Sequence, residues 1–180
     1  MLYNLKELIE IYGNRYKINK AIEEKIIFKI ERDIYSDIED PNGLDVIMKK
    51  YPKAVFTLNS AYYFYDLTDV IPRKDYLAIE LHQKVKEDDR VKFHYMTKKL
   101  HELGVTTLNT HNTTVKIYDK EKLLIELVRN KNKLGYDYYK EIITNYREIA
   151  YDLDIPKMEE YLEHYKNKNN LLRILQNEVF

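Results

Sequence analysis

The spacing of apolar positions predicts a short helix at the start of the chain. In "NLKELIEIYG" apolar residues recur at i, i+3, i+4 and i+7 between Leu5 and Tyr12, which places them on one helical face. Asn4 is suited to cap this helix, and Gly13 is suited to end it. The sequence therefore predicts one amphipathic helix followed by the tight turn Gly13-Asn14.

The next segment predicts a second helix and then a β-hairpin. In "RYKINKAIEEK" the apolar residues Ile18, Ala21 and Ile22 share one side of a helix, and the cations lie largely elsewhere. The runs "IIFKI" and "IYS" are rich in β-branched residues and are separated by the polar "ERD". Helix, turn, helix and hairpin follow one another as in a winged helix-turn-helix that lacks its usual first helix.

The turn signal "DPNG", Asp40 to Gly43, is where we place the domain boundary. Residues 1–40 are predicted to form a winged helix-turn-helix-like DNA-binding domain, and residues 44–180 a second domain. In the second domain "GLDVIMKKY" predicts a helix, "AVFTLNSAYYFYDL" a short strand that leads into a helix, and "NTHNTT" a polar hairpin loop. Strands are predicted for "YLAIEL", "VKFHYM", "VTTLNT" and "TVKIYD". Helices are predicted for "KEKLLIELVRN", "DYYKEIITNYREIA", "PKMEEYLEHYKNK" and "NNLLRILQNEV".

The predicted fold class is therefore α+β: a truncated winged helix-turn-helix followed by a mixed α/β domain whose last third is helical.

The composition excludes some classes of function but does not identify one. Lys and Arg balance Asp and Glu at 30 each, so only local charge clusters can select a partner. The absence of cysteine excludes disulfides, thiolate metal sites and cysteine nucleophiles. No apolar stretch approaches the length of a membrane span, and the start lacks the order of a signal peptide. We expect a soluble, cytoplasmic protein that does not enter a membrane.

One local cluster is basic and suggests DNA binding. Between Ile11 and Ile22 there are three cations and no acid. Tyr16 and Asn19 add side chains that can hydrogen-bond phosphates or base edges. Three further cations extend the surface along the hairpin. The predicted DNA-binding residues are Arg15, Tyr16, Lys17, Asn19, Lys20, Lys25, Lys29 and Arg32.

No motif supports catalysis. The five histidines show no metal-ligand spacing, and we expect His94 to be buried or structural. There is no nucleophile elbow and no glycine-rich phosphate loop. We interpret the remaining candidate carboxylates as solvated acids or helix caps: Asp66, Asp69, Asp119, Glu121 and Glu126. We therefore expect no catalytic residue, no metal and no cofactor, and we do not expect an enzyme.

Two longer stretches resemble a known family. "YPKAVFTLNSAYYFYDLTDVIP" and "LHELGVTTLNTHNTTVKIYDKEKLLIELVRNKNKLGYDYYKEIITNY" are similar to the AbiEi antitoxins of bacterial type IV toxin-antitoxin systems. The first stretch matches the family pattern at Tyr51, Pro52, Ala54, Phe56, Ala61, Tyr63, Leu67, Thr68, Asp69 and Pro72. The second stretch matches at Leu103, Gly104, Thr110, Val115, Tyr118, Glu121, Arg129, Asn130 and Asn132. The resemblance covers most of residues 8–178.

The resemblance implies a function in abortive infection, a form of phage defence. The N-terminal winged helix-turn-helix of the family represses its own operon at double-stranded operator DNA. The C-terminal domain is the antitoxin against an AbiEii-type nucleotidyltransferase toxin, which makes that toxin an implied functional partner. "KIERDIYSD" stands where the family carries its wing, with Asp33 in place of the usual glycine. The acid of the family's second motif has its counterpart in Glu126, displaced by one place.

The residues themselves leave alternatives open. A protein-interaction module of the same family that does not bind DNA agrees with the neutral charge and the missing first helix. An enzyme of nucleic-acid metabolism would need a converging cluster of acids, which the spacing does not show. The sequence also leaves the oligomeric state open.

Overall fold

The computed structural model describes residues 1–180, which divide into two compact units. Unit 1 comprises Met1–Pro52 together with His111–Val115, and unit 2 comprises Lys53–Thr110 and Lys116–Phe180. The chain forms nine α-helices and eight strands in two sheets. The predicted α+β fold class is confirmed.

Unit 1 contains a three-stranded sheet and three helices. Strand β1 is Leu2–Tyr3, helix α1 is Leu5–Tyr12, helix α2 is Arg15–Glu23, strand β2 is Phe28–Glu31, strand β3 is Ile34–Ser36 and helix α3 is Gly43–Lys50. The sheet order is β1-β3-β2, and both pairings are antiparallel. The first strand, which the sequence analysis missed because it has only two residues, thus pairs with the second strand of the hairpin.

Local side-chain chemistry sets the ends of α1 and α2. The Asn4 side chain accepts a hydrogen bond from the Glu7 amide at 2.9 Å, and the Glu7 carboxylate accepts one from the Asn4 amide at 2.7 Å. This capping box satisfies amides that the first turn leaves unpaired. Gly13 ends α1 at φ +86°, and Asn14 caps α2 through the Lys17 amide at 3.0 Å. The predicted helix, turn and helix are confirmed.

One hydrophobic cluster of unit 1 lies where α1 and α2 meet the hairpin. Its buried residues are Leu8, Ile18, Ala21, Ile27 and Tyr35. They come from α1, α2, the segment after α2 and β3, so the helix pair and the hairpin are held by one apolar cluster.

Helix α3 belongs to unit 1. Lys49 contacts the Glu7 carboxylate of α1 at 2.6 Å, and Lys50 contacts the Glu31 carboxylate of β2 at 2.9 Å. These ion pairs join α3 to elements on the other side of the "DPNG" turn. The boundary expected between residues 40 and 44 therefore falls inside unit 1, which extends to Pro52.

Unit 2 is built on a five-stranded sheet in the order β6-β5-β4-β8-β7. Its strands are β4 (Val55–Phe56), β5 (Asp75–Glu80), β6 (Val91–Met96), β7 (Val105–Thr110) and β8 (Thr113–Tyr118), of which the first three residues of β8 are assigned to unit 1. Its helices are α4 (Leu58–Phe64), α5 (Lys98–Glu102), α6 (Lys120–Arg129), α7 (Tyr136–Glu148), α8 (Ile155–Leu162) and α9 (Lys168–Glu178). The sheet is mixed, because β4 is antiparallel to β5 but parallel to β8, and β5 is parallel to β6.

Helix α6 lies at the centre of unit 2. Every residue from Glu121 to Val128 is buried. Asp119 caps the helix through the Lys122 amide at 2.8 Å, as the sequence predicted. Gly104 at φ +65° passes so close to this cap that a Cβ there would lie 2.7 Å from the Lys122 Cβ. Gly104 therefore allows the chain before β7 to pass close to the start of α6.

Most of the predicted elements of unit 2 are confirmed, with two differences. Helix α5 was not predicted, and α8 ends at Leu162 although its pattern predicted a helix that continues to Lys168. In and just after α4, Ala61, Tyr62 and Leu67 are buried, whereas Phe64 and Tyr65 are partly exposed. None of the helices combines the length and the apolar character that a membrane crossing requires.

Candidate nucleic-acid interface

The basic residues of α2 lie on its solvent face. Ile18 and Ala21 are buried and fix the orientation of the helix on the core of unit 1. The polar residues point away from this core and are exposed: Arg15, Tyr16, Lys17, Asn19 and Lys20. Tyr16 is 78% exposed, so its ring is not part of any core.

The hairpin cations are exposed as well. Lys25 follows α2 at φ +56°, Lys29 lies in β2, and Arg32 lies in the turn between β2 and β3. Asp33, the other turn residue, has φ +62°. All eight residues predicted to bind DNA are thus at the surface of unit 1. We call these eight residues the basic surface.

Most cations of the basic surface have no carboxylate within ion-pair distance. Lys20 lies 3.7 Å from Glu24, and Arg32 lies 3.8 Å from Asp33. Arg15, Lys17, Lys25 and Lys29 belong to no ion pair. Both pairs are exposed, and exposed pairs contribute little to stability. The charges are therefore available to an external anion.

The first turn of α2 places charge against the helix dipole. It contains Arg15 and Lys17 and no acid, whereas the amino end of a helix favours negative charge. A bound phosphate would remove this conflict, because it would accept from free amides and pair with the cations. Arg15 and Lys17 therefore lower the stability of α2 but favour the binding of an anion at its amino end.

Unit 2 contains a different polar site, which is buried. Lys122 Nζ lies 3.3 Å from Glu126 Oε1, and both side chains are fully buried. The Tyr165 hydroxyl donates to Glu126 Oε1 at 2.7 Å, and Lys122 also hydrogen-bonds Tyr165. Arg129 Nη1 is 3.2 Å from Glu126 Oε1, and His94 Nε2 is 3.9 Å from Glu126 Oε2. We call these five residues the buried network.

Burial and charge act in opposite directions on Glu126. Burial by itself raises the pKa of a carboxyl, but the charges of Lys122 and Arg129 and the Tyr165 hydrogen bond outweigh it, so the pKa of Glu126 is below its usual value. Burial lowers the pKa of His94, against the attraction of Glu126. Glu126 is therefore the negative centre of the buried network.

The interpretation of Glu126 as a solvated acid or cap was wrong. It is fully buried, because it is satisfied by cations on its own helix and by a tyrosine from the segment between α8 and α9. The same interpretation was wrong for Glu121, which is also buried and pairs with Lys157 at 3.6 Å. It is confirmed for Asp119, which caps α6 and pairs with Lys157 at 2.8 Å, and for Asp66 and Asp69, which are exposed. His94 is partly buried, with 25% of its side chain exposed.

The sequence did contain a signal for the buried network. Lys122 and Glu126 are an i, i+4 pair inside the apolar run of "KEKLLIELVRN". A charged pair of opposite sign at this spacing, flanked by leucine and isoleucine, is the pattern expected of a buried ion pair. Tyr165 and His94 complete the network from other elements. Their participation could not be predicted from a pattern of this kind.

Comparison of the chain with protein-family models gives no match, and comparison with curated proteins gives none either. The likeness to the AbiEi family stays a prediction, as does the assignment of unit 1 as a winged helix-turn-helix.

Proposed function

We propose that the protein is a DNA-binding transcriptional autorepressor and antitoxin of a type IV toxin-antitoxin operon. The observation that carries the DNA-binding part is the basic surface: a helix in a tight helix pair exposes Arg15 and Lys17, which form no ion pair, beside a hairpin that carries Lys29 and Arg32. The sheet order β1-β3-β2 supports the winged arrangement, because it leaves the β2 edge and the hairpin turn free of other strands.

Helix α2 has a suitable size for the major groove. An α-helix with its side chains is about 10–12 Å in diameter and the major groove of B-DNA is about 12 Å wide, so the nine residues of α2 can lie within the groove. The residues of the amino-terminal half of such a helix contact base edges in helix-turn-helix proteins. In this protein that half carries Arg15, Tyr16, Lys17 and Asn19.

The proposed roles follow from side-chain chemistry. Arg15, Lys17 and Lys20 neutralise phosphates, and Asn19 and Tyr16 contact base edges. The hairpin cations hold the flanking backbone, and these are Lys25, Lys29 and Arg32. Phosphate contacts position the protein on the duplex, and the two uncharged residues of α2 supply sequence preference.

The antitoxin part of the proposal rests on the resemblance of unit 2 to the AbiEi family. The implied partner is a nucleotidyltransferase toxin encoded beside this gene. An operon regulator acts where its DNA is, so we expect the protein in the cytoplasm. If a neighbouring nucleotidyltransferase gene arrests growth when it is expressed alone, we expect co-expression of this protein to restore growth. Continued arrest with both proteins present would contradict the antitoxin assignment.

A second candidate function is a protein-interaction module without DNA binding. The observation that favours it is the acidity near the basic surface: residues 15–32 hold six cations but also Glu23, Glu24 and Glu31. A heparin column separates the two candidates. Elution at low salt would favour the interaction module, whereas retention to several hundred millimolar salt would favour DNA binding.

The test of the main proposal is a gel shift with two DNA duplexes of equal length. One is the region upstream of the protein's own gene, and the other is a scrambled sequence of the same composition. We expect retention of the upstream duplex at protein concentrations that leave the scrambled one free, and a loss of retention as salt rises. Equal retention of both duplexes, or of neither, would overturn autorepression.

A further inference from the structure

Unit 2 contains a partly open cavity of about 520 Å³. Its walls come from the start of α4, from β5 and β6, and from the segment between α6 and α7 with the first turn of α7. Pockets for small molecules have volumes of about 300–1,000 Å³, so the cavity has the size of a site for a small organic ligand.

The charged residues that line the cavity are cationic. Lys92 and Lys133 are exposed lysines at its wall, and no Asp or Glu lines it. Lys92 Nζ lies 5.1 Å from the centre of the Tyr76 ring, which keeps the ammonium group over the cavity wall. The cavity therefore favours an anionic ligand.

Aromatic rings line the cavity as well. Tyr76, Phe93 and Tyr138 all contribute to its walls. The Tyr138 hydroxyl is buried and has no hydrogen-bond partner within the chain. Burial raises the pKa of Tyr138, so this hydroxyl stays protonated and able to donate. Buried polar groups nearly always have a partner, so a ligand that accepts this hydrogen bond would complete the site.

The buried network fixes two further polar groups of the cavity. His94 and Asn130 both line it, and both contact Glu126 behind it. Asn130 Nδ2 donates to the Glu126 carbonyl at 2.9 Å. Because Glu126 is fully buried and held by Lys122, these contacts orient His94 and Asn130 before any ligand arrives.

We propose that this cavity binds a mononucleotide, with its phosphate at Lys92 and Lys133 and its base among Tyr76, Phe93 and Tyr138. Lysine ammonium groups bind phosphate, aromatic faces stack on bases of any sequence, and the Asn59 and Asn130 amides offer donors and acceptors to a base edge. A free divalent cation is disfavoured, because no carboxylate lines the cavity.

This ligand is distinct from the operator DNA of the proposed function. Every residue that lines the cavity belongs to unit 2, whereas the basic surface belongs to unit 1. The proposed binding of a mononucleotide can therefore be tested independently of DNA binding.

The test is isothermal titration calorimetry of the full-length protein. The probes are AMP, GMP, CMP and UMP. The corresponding nucleosides and inorganic phosphate are titrated separately for comparison. We expect at least one nucleotide to bind saturably at one per chain, and at least tenfold tighter than its nucleoside or phosphate alone. No saturable binding by any of the four nucleotides would overturn the proposal.

Variants locate the binding. Lys133→Glu is expected to weaken the best nucleotide at least tenfold, and Lys92→Gln severalfold. Tyr138→Phe keeps the ring but removes the hydroxyl, and it is expected to weaken binding severalfold. The matched control is Lys99→Glu, an exposed lysine of α5 outside the cavity, and it should leave the affinity unchanged. Circular dichroism confirms that each variant is folded.

Two other outcomes would also overturn the proposal. If Lys133→Glu and Lys99→Glu bind nucleotide equally well, the nucleotide is bound elsewhere. If only single-stranded oligonucleotides bind, and binding is lost in the Lys17→Glu/Lys20→Glu double variant, the affinity belongs to the basic surface. That second result would leave DNA binding by unit 1 intact, so the failures of the two proposals are distinguishable.

Discussion

Helices α2 and α6 carry the same kinds of charged residue in opposite environments. In α2 the cations are exposed and mostly unpaired. In α6 the Lys122 and Glu126 side chains are fully buried and paired at 3.3 Å. Exposed charges cost the fold little and remain free to bind an external partner, whereas buried charges are tolerated only when each has its partner. We therefore expect function to depend on the α2 charges and stability on those of α6.

The largest expected effect is on the stability of the buried network. Glu126→Gln leaves the Lys122 charge buried without its counter-charge, and we expect a loss of about 3–5 kcal/mol in unfolding free energy. Urea denaturation followed by circular dichroism measures this loss. The control is Glu163→Gln, which removes an exposed carboxylate paired with Lys168 at 2.8 Å and should cost at most about 1 kcal/mol. Equal losses in the two variants would contradict the expectation that the buried charges matter more to stability than the exposed ones.

The next effect concerns two glycines at positive φ, one in each unit. Gly104→Ala combines an unfavourable backbone conformation, about 1–2 kcal/mol, with a clash against the start of α6 that adds about 1–3 kcal/mol. Gly13→Ala has the backbone conflict but no atom within 4 Å of the new Cβ. Thermal unfolding of both variants should show the larger loss for Gly104→Ala. A larger loss for Gly13→Ala would show that the fit between Gly104 and α6 is not important.

A smaller effect concerns the response of unit 2 to pH through His94. Burial lowers the pKa of His94 more than the attraction of Glu126 raises it, and Arg129, Lys133 and Lys122 add to the lowering. The unfolded chain, in which a histidine titrates near 6.5, therefore binds more protons than the folded one just below that pH. Stability should fall as pH drops from about 7.5 to 5.5, by at most about 1.4 kcal/mol per pH unit.

The measurement for this prediction is the urea midpoint of wild-type protein and of His94→Asn at several pH values. The variant should lose less stability than the wild type over the same range. His82→Asn is the control, because His82 is exposed at φ +70°, a conformation that asparagine tolerates, and it should leave the pH dependence unchanged. Identical pH dependence in all three proteins would contradict the contribution of His94.

The smallest effect concerns the turn of the hairpin in unit 1. Asp33→Asn keeps a residue that tolerates the φ of +62° and removes the negative charge beside Arg32. We expect stability to change by less than about 0.5 kcal/mol and DNA affinity to rise about two- to fivefold. Fluorescence anisotropy with labelled duplex measures the affinity. Asp40→Asn, an equal charge change outside the hairpin, should give a smaller rise, and an equal rise would show that the hairpin turn is not near the DNA.

The local structure was largely predictable because its signals are local. The Asn4 and Asp119 caps, the Gly13 turn and the alternation of β-branched residues each act within a few positions. The assignment of α3 to unit 1 was not predictable in this way, because it depends on the ion pairs of Lys49 and Lys50 with distant acids.

The basic surface, the cavity and the buried network also differ in how far they could be predicted from the sequence. Arg15 to Lys20 lie within two turns of one helix, so their common exposure could be predicted from periodicity. The cavity of unit 2 gathers residues from Leu58 to Tyr138, and the buried network joins His94 to Tyr165. No pattern in a single stretch reports that such residues meet, because their proximity depends on strand order and helix packing.

The proposed contact of the α2 cations with DNA phosphates is tested most directly by the salt dependence of DNA affinity. Fluorescence anisotropy is measured from about 50 to 200 mM salt for wild type, for Lys17→Glu/Lys20→Glu, and for Lys98→Glu/Lys99→Glu. The last pair is a matched control, because Lys98 and Glu102 form an exposed i, i+4 pair at 3.9 Å as Lys20 and Glu24 do at 3.7 Å. We predict that the log-log slope falls by about two in the α2 variant and stays at the wild-type value in the control. An unchanged slope and affinity in Lys17→Glu/Lys20→Glu would contradict the account.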